Sequence, residues 1–181
     1  FIIGSFLMRS AGCVINDLVD QKFDSKVKRT ENRPITSGKI TSTQAILFAS
    51  FLVALASLLL LFLNKLAILI CLSSVLLVII YPFCKRFTYW PQLFLGITFN
   101  IGTLVAWATV KNEINITAIL LYIGGIFWTL GYDTIYAHQD RIDDIKLGLK
   151  STAIIFGEKT EKYINWFYTI TSSMTAFAGG L

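Results

Sequence analysis

Charged residues are scarce in this sequence. They make up 15% of its 181 residues, against about 25% in a typical soluble domain. Apolar residues make up 55%, and the mean hydropathy is +0.65. A soluble core of this size does not need so much apolar surface, whereas a protein whose outside faces lipid does. Cysteine is also sparse. Cys13, Cys71 and Cys84 lie in or at the end of apolar runs, with no Cys-x-x-Cys or Cys/His spacing. That argues against a disulfide framework or a zinc site and leaves ordinary apolar packing. The single histidine, His138, sits at an expected helix end and reads as an ordinary side chain before it reads as a general base. No glycine-rich phosphate loop, G-x-S-x-G or H-E-x-x-H occurs. Solenoid-type repeats and low-complexity tracts are missing as well, and no signal peptide with a basic start and a cleavage site is visible in residues 1–181.

What the sequence does have is long apolar runs. A helix needs about 20 mostly apolar residues to cross hydrocarbon. Segments 44–63, 66–84, 91–110 and 117–137 meet that length. Segment 1–15 reads as the tail of another span, and 163–181 as a further one. The predicted fold is all-α, a polytopic transmembrane helix bundle of about six spans. The chain starts at Phe1 rather than Met and stops inside an apolar run. The expectation is therefore one transmembrane domain over residues 1–181, truncated at both ends.

Charge sets the orientation. The connectors 18–43, 85–90 and 138–162 carry 6, 2 and 5 Lys or Arg residues. The connectors on the other side carry only Lys65 and Lys111. By the positive-inside rule the long loops face the cytoplasm or its equivalent. The same placement accounts for the net charge of +5 by membrane topology, with no call for a nucleic-acid partner.

Two acidic clusters stand at that side. The first is Asn16-Asp17-Leu18-Val19-Asp20-Gln21-Lys22-Phe23-Asp24. On a helix turning about 100° per residue, Asn16, Asp17, Asp20 and Asp24 fall within one arc of about 100°. Like charges at such spacings repel, so a cation belongs among them. Mg²⁺ suits oxygen donors and completes its shell with water and substrate phosphates. The second cluster runs from Asp133 to Asp144. On one continuous helix Asp133, Asp140 and Asp144 would share an arc of about 40°, with Tyr136 and Asp143 on the flank. Asp133 directly follows an apolar run, where carboxylates are costly and usually functional. One acidic pair at an interface reads as a solvated face. These two clusters hold seven of the eleven acidic residues, which favours function. An ion pathway would spread carboxylates through the membrane depth instead.

Basic residues flank the clusters. Lys28, Arg29 and Arg33-Pro34 follow the first, and Lys85-Arg86 follow Tyr81 at the end of another span. Pro34 favours an extended Arg33, and Gly38 favours a turn. Arginine grips phosphate or carboxylate in a fork, while lysine acts as a point charge. Topology alone would also place such residues here. Arg9 lies inside an apolar span about two turns before Asp17. It either snorkels or reaches the site. Trp90, Trp107, Trp128 and Trp166 suit interface belts or packing, or shielding of a carbocation.

These residues together resemble the UbiA-type membrane prenyltransferases. Gly12-Cys13-Val14-Ile15-Asn16-Asp17-Leu18-Val19-Asp20 through Asp24 looks like the family's first Asp-rich motif. Lys28-Arg29-Thr30-Glu31-Asn32-Arg33-Pro34 looks like the stretch that follows it. Tyr81-Pro82-Phe83-Cys84-Lys85-Arg86 matches the Y-x-x-x-K element. Asp133 through Asp144, then Lys150-Ser151-Thr152, looks like the second Asp-rich motif and its tail. Within the family, Tyr132-Asp133-Thr134, Tyr136-Ala137 and Gln139-Asp140-Arg141-Ile142-Asp143-Asp144 are most similar to members acting on 4-hydroxybenzoate in ubiquinone biosynthesis.

The resemblance implies a ring of nine transmembrane helices, a cavity on the cytoplasmic side and a lateral opening for a lipid chain. It implies a bacterial or mitochondrial inner membrane, with the active site on the cytoplasmic or matrix side. The substrates it implies are a polyprenyl diphosphate and an aromatic acid, with Mg²⁺ bridging the diphosphate. Carried onto this chain, the metal ligands are Asn16, Asp20, Asp24, Asp140, Asp143 and Asp144. The substrate-binding residues are Arg9, Arg29, Arg33, Tyr81, Lys85, Arg86 and Lys150. Asp17, Asp133 and Tyr136 are the catalytic candidates, with Asp133 or Asp17 taking the proton. A protohaem farnesyltransferase or a naphthoquinone prenyltransferase is the alternative within the family. An ion or proton carrier is the alternative outside it. A phosphatidyl-type transferase would show a D-G-x-x-A-R pattern, which is missing. Prenyl length and oligomeric state are left open.

Overall fold

The computed structural model describes residues 1–181, and every regular element in it is helical. The chain forms two compact units, Phe1–Leu63 and Asn64–Leu181.

In the first unit α1 (Ile2–Asp24) packs against α2 (Ser42–Leu58), which a 3-10 turn extends through Leu59–Phe62. The run of apolar residues before Asn16 gives α1 its length. The helix does not stop where that run stops: it carries the whole first acidic cluster. The loop after it is a series of tight turns. Lys26 N–H bonds the Phe23 carbonyl at 2.9 Å, and Arg33 N–H bonds the Thr30 carbonyl at 3.0 Å. Val27, Thr30 and Ile35 of this loop are buried. Gly38 has φ +78°, the left-handed turn expected of it, which other residues adopt only with strain. Thr41 opens α2 with a reciprocal cap: its hydroxyl accepts from Gln44 N–H, and the Gln44 amide oxygen accepts from Thr41 N–H.

The second unit begins with α3 (Lys65–Ile80), a 3-10 turn (Tyr81–Phe83) and α4 (Cys84–Phe87). Then come α5 (Pro91–Lys111), α6 (Ile116–Ala137), α7 (Arg141–Leu147) and α8 (Thr152–Phe156). A 3-10 turn (Gly157–Lys159) leads into α9 (Thr160–Gly179). Helix α6 packs against both α5 and α9, and α3 lies on α5. Pro91 starts α5, where its missing N–H costs nothing. Asn64 caps α3 and also reaches α5, donating to the Ala108 carbonyl at 2.6 Å. The α5–α6 crossing is close because position 96 is glycine. A Cβ there would fall 2.9 Å from the Ile126 carbonyl oxygen. Leu130, Phe156 and Phe167 form the apolar core, covered by Trp90, Leu93 and Phe127.

Five stretches are long and apolar enough to cross a membrane: Ile2–Asp24, Ser42–Phe62, Lys65–Phe87, Pro91–Lys111 and Ile116–Ala137. Their exposed faces carry Leu47, Phe51, Leu69, Leu76 and Ile79, the surface that hydrocarbon solvates. The segment expected as a sixth span, 163–181, is helical as part of α9 but is not among the five apolar enough to cross a membrane. Helix α9 has 20 residues, and Glu161, Lys162, Asn165 and several threonines make it more polar than the five.

Candidate active site

The last turns of α1 place Asn16, Asp20 and Asp24 at i, i+4, i+8, one above the next on a single face. Asn16 Nδ2 donates to Asp20 Oδ2 at 3.3 Å. Asp20 and Asp24 are buried, 2% and 8% exposed. Arg33 comes back to this face from the loop. Its Nη1 donates to Asp17 Oδ1 and to Asp24 Oδ2, both at 2.8 Å. The Arg33 guanidinium is thus one cation that stands among these carboxylates. The loop that delivers it is tied down at two points. Thr30 Oγ1 donates to the Asp24 carbonyl at 3.0 Å, and Gln21 Nε2 donates to the Ile35 carbonyl at 3.1 Å. Arg29 is exposed on the same loop. Arg9 is exposed on α1, about 12 Å of helical rise before Asp17.

The second acidic segment differs from its expected form. It is not one helix. Helix α6 ends at Ala137, and α7 begins at Arg141. Between them the backbone tightens: the N–H groups of His138, Gln139, Asp140 and Arg141 bond the carbonyls three residues back. Such turns advance about 120° per residue rather than 100°, so the expected arc shared by Asp133, Asp140 and Asp144 is not formed by one helix face. Asp133 stays on the last turns of α6. Asp140 precedes α7, and Asp143 and Asp144 lie in its first turn. Lys146 Nζ lies 3.5 Å from Asp143 on the exposed side, a pair worth little in water. Tyr136 is half exposed. His138 Nε2 lies 3.0 Å from Thr160 Oγ1, whose proton is given to the Gly157 carbonyl. The ring therefore carries its proton on Nε2, and the histidine joins α6 to the start of α9, the ordinary role expected of it.

The basic residues of this unit converge through the backbone. Lys150 N–H bonds the Lys85 carbonyl at 2.8 Å, and Lys150 Nζ donates to the Phe87 carbonyl at 3.2 Å while lying 5.3 Å from the Tyr89 ring centre. The Arg86 guanidinium lies over the Phe83 ring at 5.1 Å. Tyr81 sits one helical turn before Lys85 in the same segment. Gln92, Thr134 and Thr152 hold this arrangement; in the sequence the two threonines stand out only as motif neighbours, and Gln92 does not stand out. Gln92 Oε1 accepts from Thr152 N–H at 3.0 Å, and the Thr134 and Thr152 hydroxyls are 2.7 Å apart. The available signal was an amide directly after Pro91 in an apolar span, and a threonine directly after Asp133.

The profile described as the UbiA prenyltransferase family matches residues 1–181. The chain belongs to the UbiA prenyltransferase family. The mitochondrial 4-hydroxybenzoate polyprenyltransferase of Homo sapiens is 51% identical over 168 residues, which cover 92% of this chain and 45% of that protein. The enzyme of the same name from Arabidopsis thaliana is 49% identical over 180 residues, covering 99% of this chain and 44% of that protein. The chain thus spans about half the length of the curated relatives it matches. The solved apo structure of a UbiA homolog from Aeropyrum pernix K1 superposes with a TM-score of 0.81. It is 24% identical, and the match covers 96% of this chain and 69% of that one. That likeness identifies the fold as the UbiA helical fold.

Proposed function

We propose that this protein transfers a polyprenyl group from a polyprenyl diphosphate to 4-hydroxybenzoate, in the inner membrane of a mitochondrion or bacterium. The observation that carries the reading is the half-identity, over almost the whole chain, to enzymes named for that acceptor. The donor chemistry fits a resident Mg²⁺. Asn16, Asp20, Asp24 and the carboxylates Asp140, Asp143 and Asp144 offer oxygen only, and Asp17 and Asp24 already gather round a cation, Arg33. Mg²⁺ commonly takes one or two carboxylates and completes its shell with water and phosphate oxygens. When bound, the metal supplies positive charge to the departing diphosphate.

The chain's own residues do the rest. Arg29, Lys85, Arg86 and Lys150 offer positive charge to diphosphate oxygens, Arg33 being held by Asp17 and Asp24, and Tyr81 lies in the same segment as Lys85 and Arg86. The allylic C–O bond breaks with its electron pair leaving on the diphosphate. The resulting allylic cation is attacked by the ring carbon ortho to the phenol hydroxyl, and the ring proton passes to Asp133 or Asp17. Tyr136 stands on the turn after Asp133 and borders the acceptor. Aromatic walls and exclusion of water keep the cation from hydrolysis.

The test offers the purified protein one prenyl diphosphate with a panel of aromatic acceptors: 4-hydroxybenzoate, a phenol lacking the carboxylate, and a dihydroxynaphthoic acid. The reading expects the prenylated 4-hydroxybenzoate as main product. Preference for the naphthoic acid would assign the chain to the naphthoquinone branch instead.

A further inference from the structure

Three buried polar groups join the pieces that carry Asp133, Lys85 and Lys150. Thr134, beside Asp133 on α6, is 0% exposed, Thr152 is 0% exposed and Gln92 is 5% exposed. Thr134 gives its only hydroxyl proton to the Leu130 carbonyl at 2.6 Å. A hydroxyl has one proton, so in the 2.7 Å contact between the two threonines Thr152 donates and Thr134 accepts. Thr152 N–H is used at the same time by Gln92 Oε1 at 3.0 Å. Two residues earlier, Lys150 N–H bonds the Lys85 carbonyl at 2.8 Å. Thr152 is thus the junction between the start of α5, the end of α6 and the link that carries Lys150. Buried polar groups of this kind are costly unless every one is paired, so the chain holds them for what they fix. What they join are the backbone segments that carry Asp133, Lys85 and Lys150.

We propose that Thr152, with Thr134 and Gln92, is a positioning residue that sets Asp133 against Lys85 and Lys150 in the prenyl-transfer site. The proposal rests on the function stated above. None of the three touches substrate in this account. Their hydroxyl contact at 2.7 Å is shorter than two methyl groups can approach, about 3.5–4.0 Å. Replacing both hydroxyls by methyls leaves no unpaired polar group but pushes the link from α6 by about 1 Å, a displacement that costs on the order of a hundredfold in rate when it reaches reacting groups.

The variants Thr152→Ser, Thr152→Val and the double variant T134V/T152V, all in the whole protein reconstituted in lipid, separate positioning from folding. Thr152→Ser should keep both stability and turnover. Thr152→Val should lose both. T134V/T152V should unfold at a higher midpoint than Thr152→Val, because no polar group is left unpaired, yet keep kcat at least tenfold low, with the Michaelis constant for the prenyl diphosphate within about threefold. Recovery of kcat along with stability would overturn the proposal and leave the junction as packing alone. Hydrogen exchange supplies a readout that does not depend on the reaction. Gln92→Leu should raise exchange at the Thr152 amide at least tenfold, and unchanged exchange would also overturn the proposal. If the wild type transfers no prenyl group, the proposed function fails, and the exchange result still decides whether the junction exists.

Discussion

The Arg33 guanidinium stands 2.8 Å from the Asp24 carboxylate and, through the same nitrogen, 2.8 Å from Asp17. One side chain therefore neutralises two members of the first acidic cluster and pins the loop that carries it. Hydrogen bonds to charged groups contribute about 1.5–3 kcal/mol each. Arg33→Gln should loosen residues 25–40, so trypsin cleavage at Lys26, Lys28 and Arg29 should accelerate about tenfold. Equal cleavage rates in both proteins would mean that the loop is held by Thr30 and Gln21 alone.

The α5–α6 crossing gives a prediction about packing. Gly96→Ala places a methyl 2.9 Å from the Ile126 carbonyl oxygen, a backbone atom that cannot step aside. Overpacking of this sort costs about 1–3 kcal/mol. Gly102→Ala meets nothing within 4 Å and should be neutral or gain from better helix propensity, by up to about 1 kcal/mol. Thermal unfolding of the two variants in detergent should move in opposite directions or differ by several degrees. Equal midpoints would contradict the close crossing.

Orientation in the membrane is read from charge, and labelling checks it. In a background with Cys13, Cys71 and Cys84 replaced by alanine, single cysteines at Lys26 and Lys146 should react with an impermeant thiol reagent from the cytoplasmic or matrix side. One at Asn112 should react only from the opposite side. Reaction of Lys26 and Asn112 from the same side would overturn the span assignment.

The proposed acceptor would carry a carboxylate towards acidic clusters and a diphosphate, a repulsion of several kcal/mol at close range in a partly buried site. Arg9, on α1 ahead of the first cluster, is the candidate counterweight. Arg9→Leu should raise the Michaelis constant for 4-hydroxybenzoate about tenfold and that for the prenyl diphosphate less. A phenol without the carboxylate should be little affected. Loss of diphosphate affinity alone would move Arg9 to the phosphate site, and no change in either constant would leave it as a snorkelling side chain.

Much of this architecture was legible because membrane helices announce themselves by length and apolarity. The segments expected at 44–63, 66–84, 91–110 and 117–137 became helices with ends within a few residues. The co-facial set Asn16, Asp20 and Asp24 was legible because α1 continues unbroken through it. The second set was misread because helical periodicity was extended over a stretch where the backbone turns every three residues, and no proline or glycine between Asp133 and Asp144 marks that change. The Arg33 bridge was out of reach for another reason. Pro34 argues for an extended Arg33, but the return of the loop depends on Thr30, Gln21 and Ile35 acting together. Gln92 escaped because it looks like a lone polar residue in an apolar run until the fold brings Thr152 to it, and Thr134 was legible only as a neighbour of Asp133.

Metal-assisted transfer of a prenyl group to an aromatic acid is the proposed reaction. The most direct measurement incubates the reconstituted protein with labelled polyprenyl diphosphate and 4-hydroxybenzoate, with Mg²⁺ or with EDTA, and follows label into the aromatic product. Product should form with Mg²⁺, none above background in EDTA, and it should return when Mg²⁺ is restored in excess, because the departing diphosphate then regains the positive charge the metal supplies. Undiminished product in rigorously chelated samples, or no prenylated aromatic under any condition, would contradict it.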